Sequence, residues 1–266
     1  MLAALAMCVL LAASPVQRDG DKNDKKDNQP DRKAVATAVA AIKEGMRSKE
    51  ISERLAVLAE HGELPAKEVC VVVAKAVKDK DETVRQRAVD ALRFNQHDEA
   101  LSQLHKFAKR DKSVRKDEDL LTLVIKGIGH HADVDSIPVL TDDVFTHKTT
   151  PPIRARIYSL GKIRSTKSVQ ALINLMNTTQ RQRVQNHMRD FRLALMVLTA
   201  RDEGTSQDHW IRWWNKNKKT FKVAEKEPVL PDKENRKWKG YWGIEYEVVR
   251  DKRRKDRGGD PETGGN

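Results

Sequence analysis

Cysteine is almost missing from this chain: 266 residues contain only Cys8 and Cys70. Cys8 lies inside an apolar N-terminal run that reads as a cleavable signal. The mature fold therefore has one thiol, no intramolecular disulfide, and must be held by packing alone. Cys70 sits in Val69-Cys70-Val71-Val72-Val73 and is expected to act as a small buried hydrophobe. Aromatic residues make up only 5% of the chain, against 34% charged and 38% hydrophobic. That mixture suits amphipathic helices with solvated outer faces better than a compact β-sandwich. No stretch before the C-terminal tail keeps the strict apolar and polar alternation of a half-buried strand.

Several chemical signatures are missing as well. A His-Glu-x-x-His helix, a Gly-x-Ser-x-Gly elbow, a Gly-x-x-x-x-Gly-Lys-Ser/Thr loop and a Gly-x-Gly-x-x-Gly turn are all absent. Zincin chemistry, an α/β-hydrolase nucleophile and phosphate-loop chemistry lose their sequence basis. His130 and His131, with Asp133 and Asp135, have metal-ligand types but fall together in one expected inter-helix turn, where Asp133, Asp135 and Ser136 suit capping better. The expectation is a chain with no catalytic residue, no metal and no cofactor, acting on no small-molecule substrate.

Positive charge is what the chain has in excess. Its net charge is +12 and its pI near 9.6, which favours an acidic partner: nucleic acid, an anionic envelope surface or an acidic protein. Residues 1–13 are apolar and end in small residues, too short for a membrane span, and residues 1–17 read as a secretory signal. The competing reading is a buried N-terminal helix. Export implies a periplasmic or extracellular location, and no integral membrane segment once the signal is removed. Residues 18–31 are a dense mixture of both charges and read as a disordered linker.

From residue 32 to 223 the chain is helical in period. Apolar side chains at i, i+4 and i+7 recur as Ile51/Leu55/Leu58, Val84/Ala88/Ala91, Leu121/Ile125/Ile128, Ile153/Ile157/Leu160 and Phe191/Leu195/Leu198, with starts roughly 32 to 38 positions apart. A second stripe fits between successive sets: Val69/Val73/Ala76, Leu101/Leu104/Ala108, Ile137/Leu140/Val144, Val169/Leu172/Met176 and Trp210/Trp213/Trp214. A helix with Val35, Val39 and Ile42 inward would cap the N-terminal end. One such helical pair cannot cover its own apolar face, so pairs must stack into a continuous core with a concave surface. The predicted fold is all-α: a right-handed α-solenoid of about five helical pairs. An irregular, basic, largely disordered tail is expected over residues 224–266, with a short strand as an option over residues 243–249.

With the repeats laid out, Glu82-Thr83-Val84-Arg85-Gln86-Arg87-Ala88-Val89-Asp90-Ala91-Leu92 resembles the first helix of a HEAT repeat. Residues 153–163 followed by 168–173 are similar to a complete unit, and Gly127-Ile128-Gly129 with residues 135–140 to the loop and second-helix start. The closing stretch, residues 198–204 followed by Trp210-Ile211-Arg212-Trp213-Trp214, resembles that of exported HEAT-like proteins of planctomycete-type bacteria, with Ala200 where glycine is more usual. The resemblance implies a non-enzymatic scaffold that binds a protein partner; the alternative is a basic solenoid that grips nucleic acid or another polyanion.

Candidate partner-binding residues follow from charge and aromatic content. Arg181, Arg183 and Arg212 lie around the last repeat and offer positive surface. Trp238, Tyr241 and Trp242, interleaved with Arg236, Lys237 and Lys239, have the composition of a stacking and docking segment. Folding back onto the last helices is the competing role for these aromatics. Arg85 and Arg154 are expected to pair with acidic residues of adjacent turns, Arg85 with Asp81.

Overall fold

The computed structural model describes residues 30–244, in two compact units, residues 30–230 and residues 231–244. The signal, nearly all of the linker, and the chain after residue 244, including Tyr246 and most of the optional strand, lie outside the described residues. Helix is the only regular secondary structure of the described residues, with no strand among them.

The first unit runs α1 (Arg32–Gly45), α2 (Ile51–His61), α3 (Lys67–Ala76), α4 (Glu82–Phe94), α5 (Asp98–Arg110), α6 (Lys112–Lys116), α7 (Glu118–His131), α8 (Ile137–Thr141), α9 (Thr150–Lys162), α10 (Thr166–Thr178), α11 (Arg181–Asn186), α12 (Met188–Thr199) and α13 (Gln207–Asn217). They pack in two rows. Helices α2, α4, α7, α9 and α12 lie side by side in one, and α1, α3, α5, α8, α10 and α13 in the other. Contacts between the rows run α1 to α2, α3 to α4, α5 to α7, α8 to α9 and α10 to α12. This is the solenoid-like packing that the repeated stripes predict, and the core lies between the rows. Val84, Ala88, Ala91, Leu121, Ile125 and Ile128 are entirely buried there, as are Ile157, Leu160, Phe191 and Leu195. At roughly 1.5–3 kcal/mol for each fully buried aliphatic side chain, this seam supplies the main stabilising term. Cys70 is buried on α3, and its thiol is pushed up to about 12 by burial, reinforced by the Glu99 charge.

The turns that start helices of the first row share a polar edge. Asp81 accepts hydrogen bonds from the Thr83 and Val84 amides and so caps α4. With that carboxylate engaged, Arg85 does not pair with it. Its guanidinium donates to the carbonyls of Asp79 and Lys80, both at 3.2 Å, and lies 3.7 Å from Asp117 of the next turn. One repeat earlier Arg54, 2% exposed, donates to the carbonyls of Ser48 and Lys49 and pairs with Asp79 at 3.2 Å. Glu118 accepts from the amides of Lys148 and Thr149 ahead of α9. Arg154 pairs with the buried Asp190 at 3.1 Å, and Tyr158 donates to the same carboxylate oxygen. The pairs Arg54–Asp79, Arg85–Asp117 and Arg154–Asp190 each join a helix of the first row to the next one or to the turn before it.

Local departures from the predicted pattern have local causes. On α2, Ile51 is 43% exposed, and Arg54 takes the inward place because its charge is met by Asp79. Val35 and Val39 are only half-buried on α1, where Ala38 and Ile42 point inward. The stripe Ile137/Leu140/Val144 is not one helix: a 3-10 turn (Val134–Ser136), α8 and another 3-10 turn (Val144–Thr146) share it. Asp142 is extended and Asp143 left-handed at φ 50°, which stops α8 after Thr141. His130 and His131 belong to the last turn of α7 and not to a loop, and Ala132, at φ 52°, ends the helix. Gly127 is inside α7 against α5, where a Cβ would lie 3.1 Å from Leu104 Cδ1.

After α13 the chain stays with the first unit to residue 230. Arg164 donates to the Ala224 carbonyl at 2.7 Å, Lys162 pairs with Glu227 at 2.7 Å, and Leu230 is buried. In the second unit, residues 232–242 form α14 (Asp232–Trp242) where the composition predicts irregular chain. Pro231 precedes the helix, Asp232 and Glu234 sit in its first turn, and Trp238 and Trp242 share one face at i, i+4.

Candidate functional site

The second-row helices spend only part of their circumference on the core. Helix α10 turns Val169, Leu172, Ile173 and Met176 inward, which leaves Lys167, Gln170, Asn174 and Thr178 on a polar stripe. Its neighbour α13 buries Trp210 and Trp214. Both indole N–H groups find acceptors: Trp210 Nε1 donates to the Gly204 carbonyl at 2.9 Å, and Trp214 Nε1 to Gln170 Oε1 at 2.7 Å. Gln207 Nε2 adds a bond to the Met176 carbonyl, so α13 is fixed to α10 at two levels.

Between α8, α10 and α13 these contacts leave an open groove of about 730 Å³. Ile137, Pro138, Ala171, Leu175 and Trp214 give it apolar lining, while Thr141, Thr166, Gln170, Asn174 and Thr178 supply hydroxyls and amides. Lys167 and Lys218 are its only charged lining residues. Gln170 Nε2 donates to Asn174 Oδ1 at 2.6 Å, a pair that holds two amides at the groove surface. Apolar contact, neutral hydrogen-bonding groups and unopposed positive charge suit an extended peptide bearing acidic side chains. The lining contains no nucleophile beside a general base.

The residues singled out by sequence go to different places. Arg181 pairs with Asp208 at 2.9 Å, and Arg183 donates to the Phe145 carbonyl at 2.7 Å, so both link their turn to neighbouring segments. Arg192 pairs with Asp202. Arg212 is exposed on the face of α13 turned away from Trp214. Trp238 and Trp242 are buried, with ring centroids 5.7 Å apart edge to face, and Tyr241 meets Trp242 at 5.2 Å. Sequence reasoning did not single out Lys167, Gln170, Asn174 or Lys218, because on a solvated helix each resembles any surface residue. The available signal was the polar stripe Lys167, Gln170, Asn174 and Thr178 opposite the apolar one.

Of the histidines and aspartates considered as metal ligands, His130, His131 and Asp133 make other contacts. The His130 ring stacks edge-on against Phe94 at 4.9 Å; burial, then the charges of Arg93, His131 and Lys162, push its pKa down to about 4. His131 Nε2 lies 3.1 Å from the Leu92 carbonyl, and Asp133 accepts from the Asp135 amide. No group of three or more His, Cys, Asp or Glu side chains that could hold a metal ion occurs among the described residues. No helix among them is long and apolar enough to cross a membrane. The sequence matches no protein-family model, and no curated protein matches it.

Proposed function

We propose that this chain is a non-enzymatic HEAT-repeat scaffold that holds a protein partner outside the cytoplasm. Its helices form a right-handed α-solenoid of about five HEAT-like pairs, with the second-row helices presenting the binding surface. The observation that carries the reading is the groove between α8, α10 and α13, whose lining combines apolar contact with lysine as its only charged type. An open groove of this kind acquires affinity from area and from a few apolar contacts, here Ile137, Pro138 and Leu175, and has no enclosed pocket for a small substrate. Export is supported by the apolar run over residues 1–13 and the small residues that close it.

The second reading, a binder of nucleic acid or another polyanion, is favoured by the net charge of +12. One experiment separates the two. The tagged chain is recovered from its native envelope after mild cross-linking, and its N-terminus and cross-linked partners are identified by mass spectrometry. The scaffold reading expects a new N-terminus after residue 13 or later and a reproducible protein partner. A cytoplasmic chain that still carries Met1, cross-linked to nucleic acid and to no reproducible protein, overturns it.

A further inference from the structure

The face of α13 opposite the groove borders a second, independent concavity. It is an open basin of about 580 Å³, lined by Arg201, Glu203, His209, Arg212, Trp213 and Lys216 among others. His209, Arg212, Trp213 and Lys216 share this face because they are three or four positions apart on the helix. The opposite wall is the turn after α12, where Arg201 Nε pairs with Glu203 at 3.2 Å and its guanidinium lies over the Trp213 ring, 5.9 Å from the centroid. Arg212 and Lys216 are exposed and form no ion pair among the described residues, whereas nearby Arg181 and Arg192 are paired with Asp208 and Asp202. Two cations one helical turn apart therefore face a cavity whose single carboxylate is already paired with Arg201.

We propose that this basin is a carboxylate-binding site that takes alternate acidic side chains from an extended segment of a protein partner. The proposal rests on the scaffold reading and adds a second contact on the other side of α13. Spacing supports an extended peptide. Positions i and i+4 of a helix are separated by a rise of about 6 Å, and alternate residues of an extended chain by about 6.6 Å, so Arg212 and Lys216 match acids at i and i+2. The aromatic content argues for peptide over nucleic acid. Trp213 already has Arg201 over its ring and meets Phe221 edge to face at 5.3 Å, so a base stacking on that face would have to displace Arg201.

The test uses the full chain and a labelled six-residue peptide alternating Ser and Glu, with the Ser and Gln peptide as control, followed by fluorescence anisotropy at low salt. The Glu peptide is expected to bind and the Gln peptide not to. Replacing Arg212→Glu and Lys216→Glu together should weaken binding by about tenfold or more. Replacing Lys75→Glu and Lys109→Glu, which changes net charge equally at exposed positions of α3 and α5 that do not line the basin, should change it by less than about twofold. Circular dichroism of both variants checks that the exposed substitutions leave the helices intact. The proposal is overturned by failure of the Glu peptide to bind, by equal losses in the two double variants, or by tighter binding of an oligothymidylate of equal charge that depends on Arg212 and Lys216. Retained cross-linking to a protein partner alongside failure here removes the basin site and leaves the scaffold reading standing.

Discussion

Left-handed backbone is unfavourable for a residue with a Cβ, by about 1–2 kcal/mol. Ala200 ends α12 at φ 56° and Ala132 ends α7 at φ 52°, both in that region. The sequence resemblance marks Ala200 as standing where glycine is usual; the helix nevertheless ends in the glycine conformation, its amide bonding back to the Met196 carbonyl. Ala200→Gly should therefore raise stability by roughly 1 kcal/mol, read as a higher urea midpoint with an unchanged slope. A decrease would mean that Ala200 makes contacts worth more than its strain. His130 offers a second residue-scale test. Burial holds its pKa near 4, so the unfolded chain binds the extra proton first as pH falls below about 6.5. Its contribution is complete above pH 6.5 and lost between there and about pH 4, on the order of 2–3 kcal/mol. Asp111 acts lower: although burial raises it, its pKa is brought down to about 2 by hydrogen bonds from Lys78 and Ser113. Stability curves of the native chain and a His130→Gln variant, normalised to pH 7.5, should diverge between pH 6.5 and 4. Parallel curves would contradict the assigned pKa.

At the scale of elements, apolar spacing located most helices because a stripe of period 3.6 has only one way to be buried. It failed where a polar group replaced the stripe. Arg54 is nearly as buried as Leu58 of the same helix, and nothing in Ile51-Ser52-Glu53-Arg54 indicates that Asp79, in the turn before α4, is its partner. The break after α8 was equally hidden, since the left-handed Asp143 leaves no sequence mark beyond the Asp142-Asp143 pair. Helix α14 was missed because charge and proline dominate the composition around it, while its two tryptophans on one face are the informative residues. The inter-repeat links can be measured directly. Asp79→Ala leaves the Arg54 guanidinium buried without its counter-charge and should cost about 3–5 kcal/mol in equilibrium unfolding. A loss below about 0.5 kcal/mol, typical of surface positions, would show that the link between α2 and the turn before α4 is not a stabilising contact.

For the whole molecule, architecture was legible and the site much less so. Helix packing is written in every apolar stripe along the chain, so errors in single stripes do not change the outcome; a binding surface is written once, in residues indistinguishable from solvated ones. Lys167, Asn174 and Lys218 acquire meaning only when α8, α10 and α13 bring them around one groove. Charged and aromatic density pointed first to Arg181, Arg183, Arg212 and the segment of Trp238, Tyr241 and Trp242. Two of those arginines are held by neighbouring segments and both tryptophans are buried. The groove is therefore the surface on which the scaffold proposal depends. Its most direct test is site-specific photo-cross-linking in the native envelope, with p-benzoylphenylalanine replacing Asn174 in the groove or Ala56 on the exposed face of α2. A discrete protein adduct from position 174 and none from position 56 is expected. Adducts of equal yield from both positions, or none from 174 while the partner is still recovered with the chain, would contradict a groove that holds the partner.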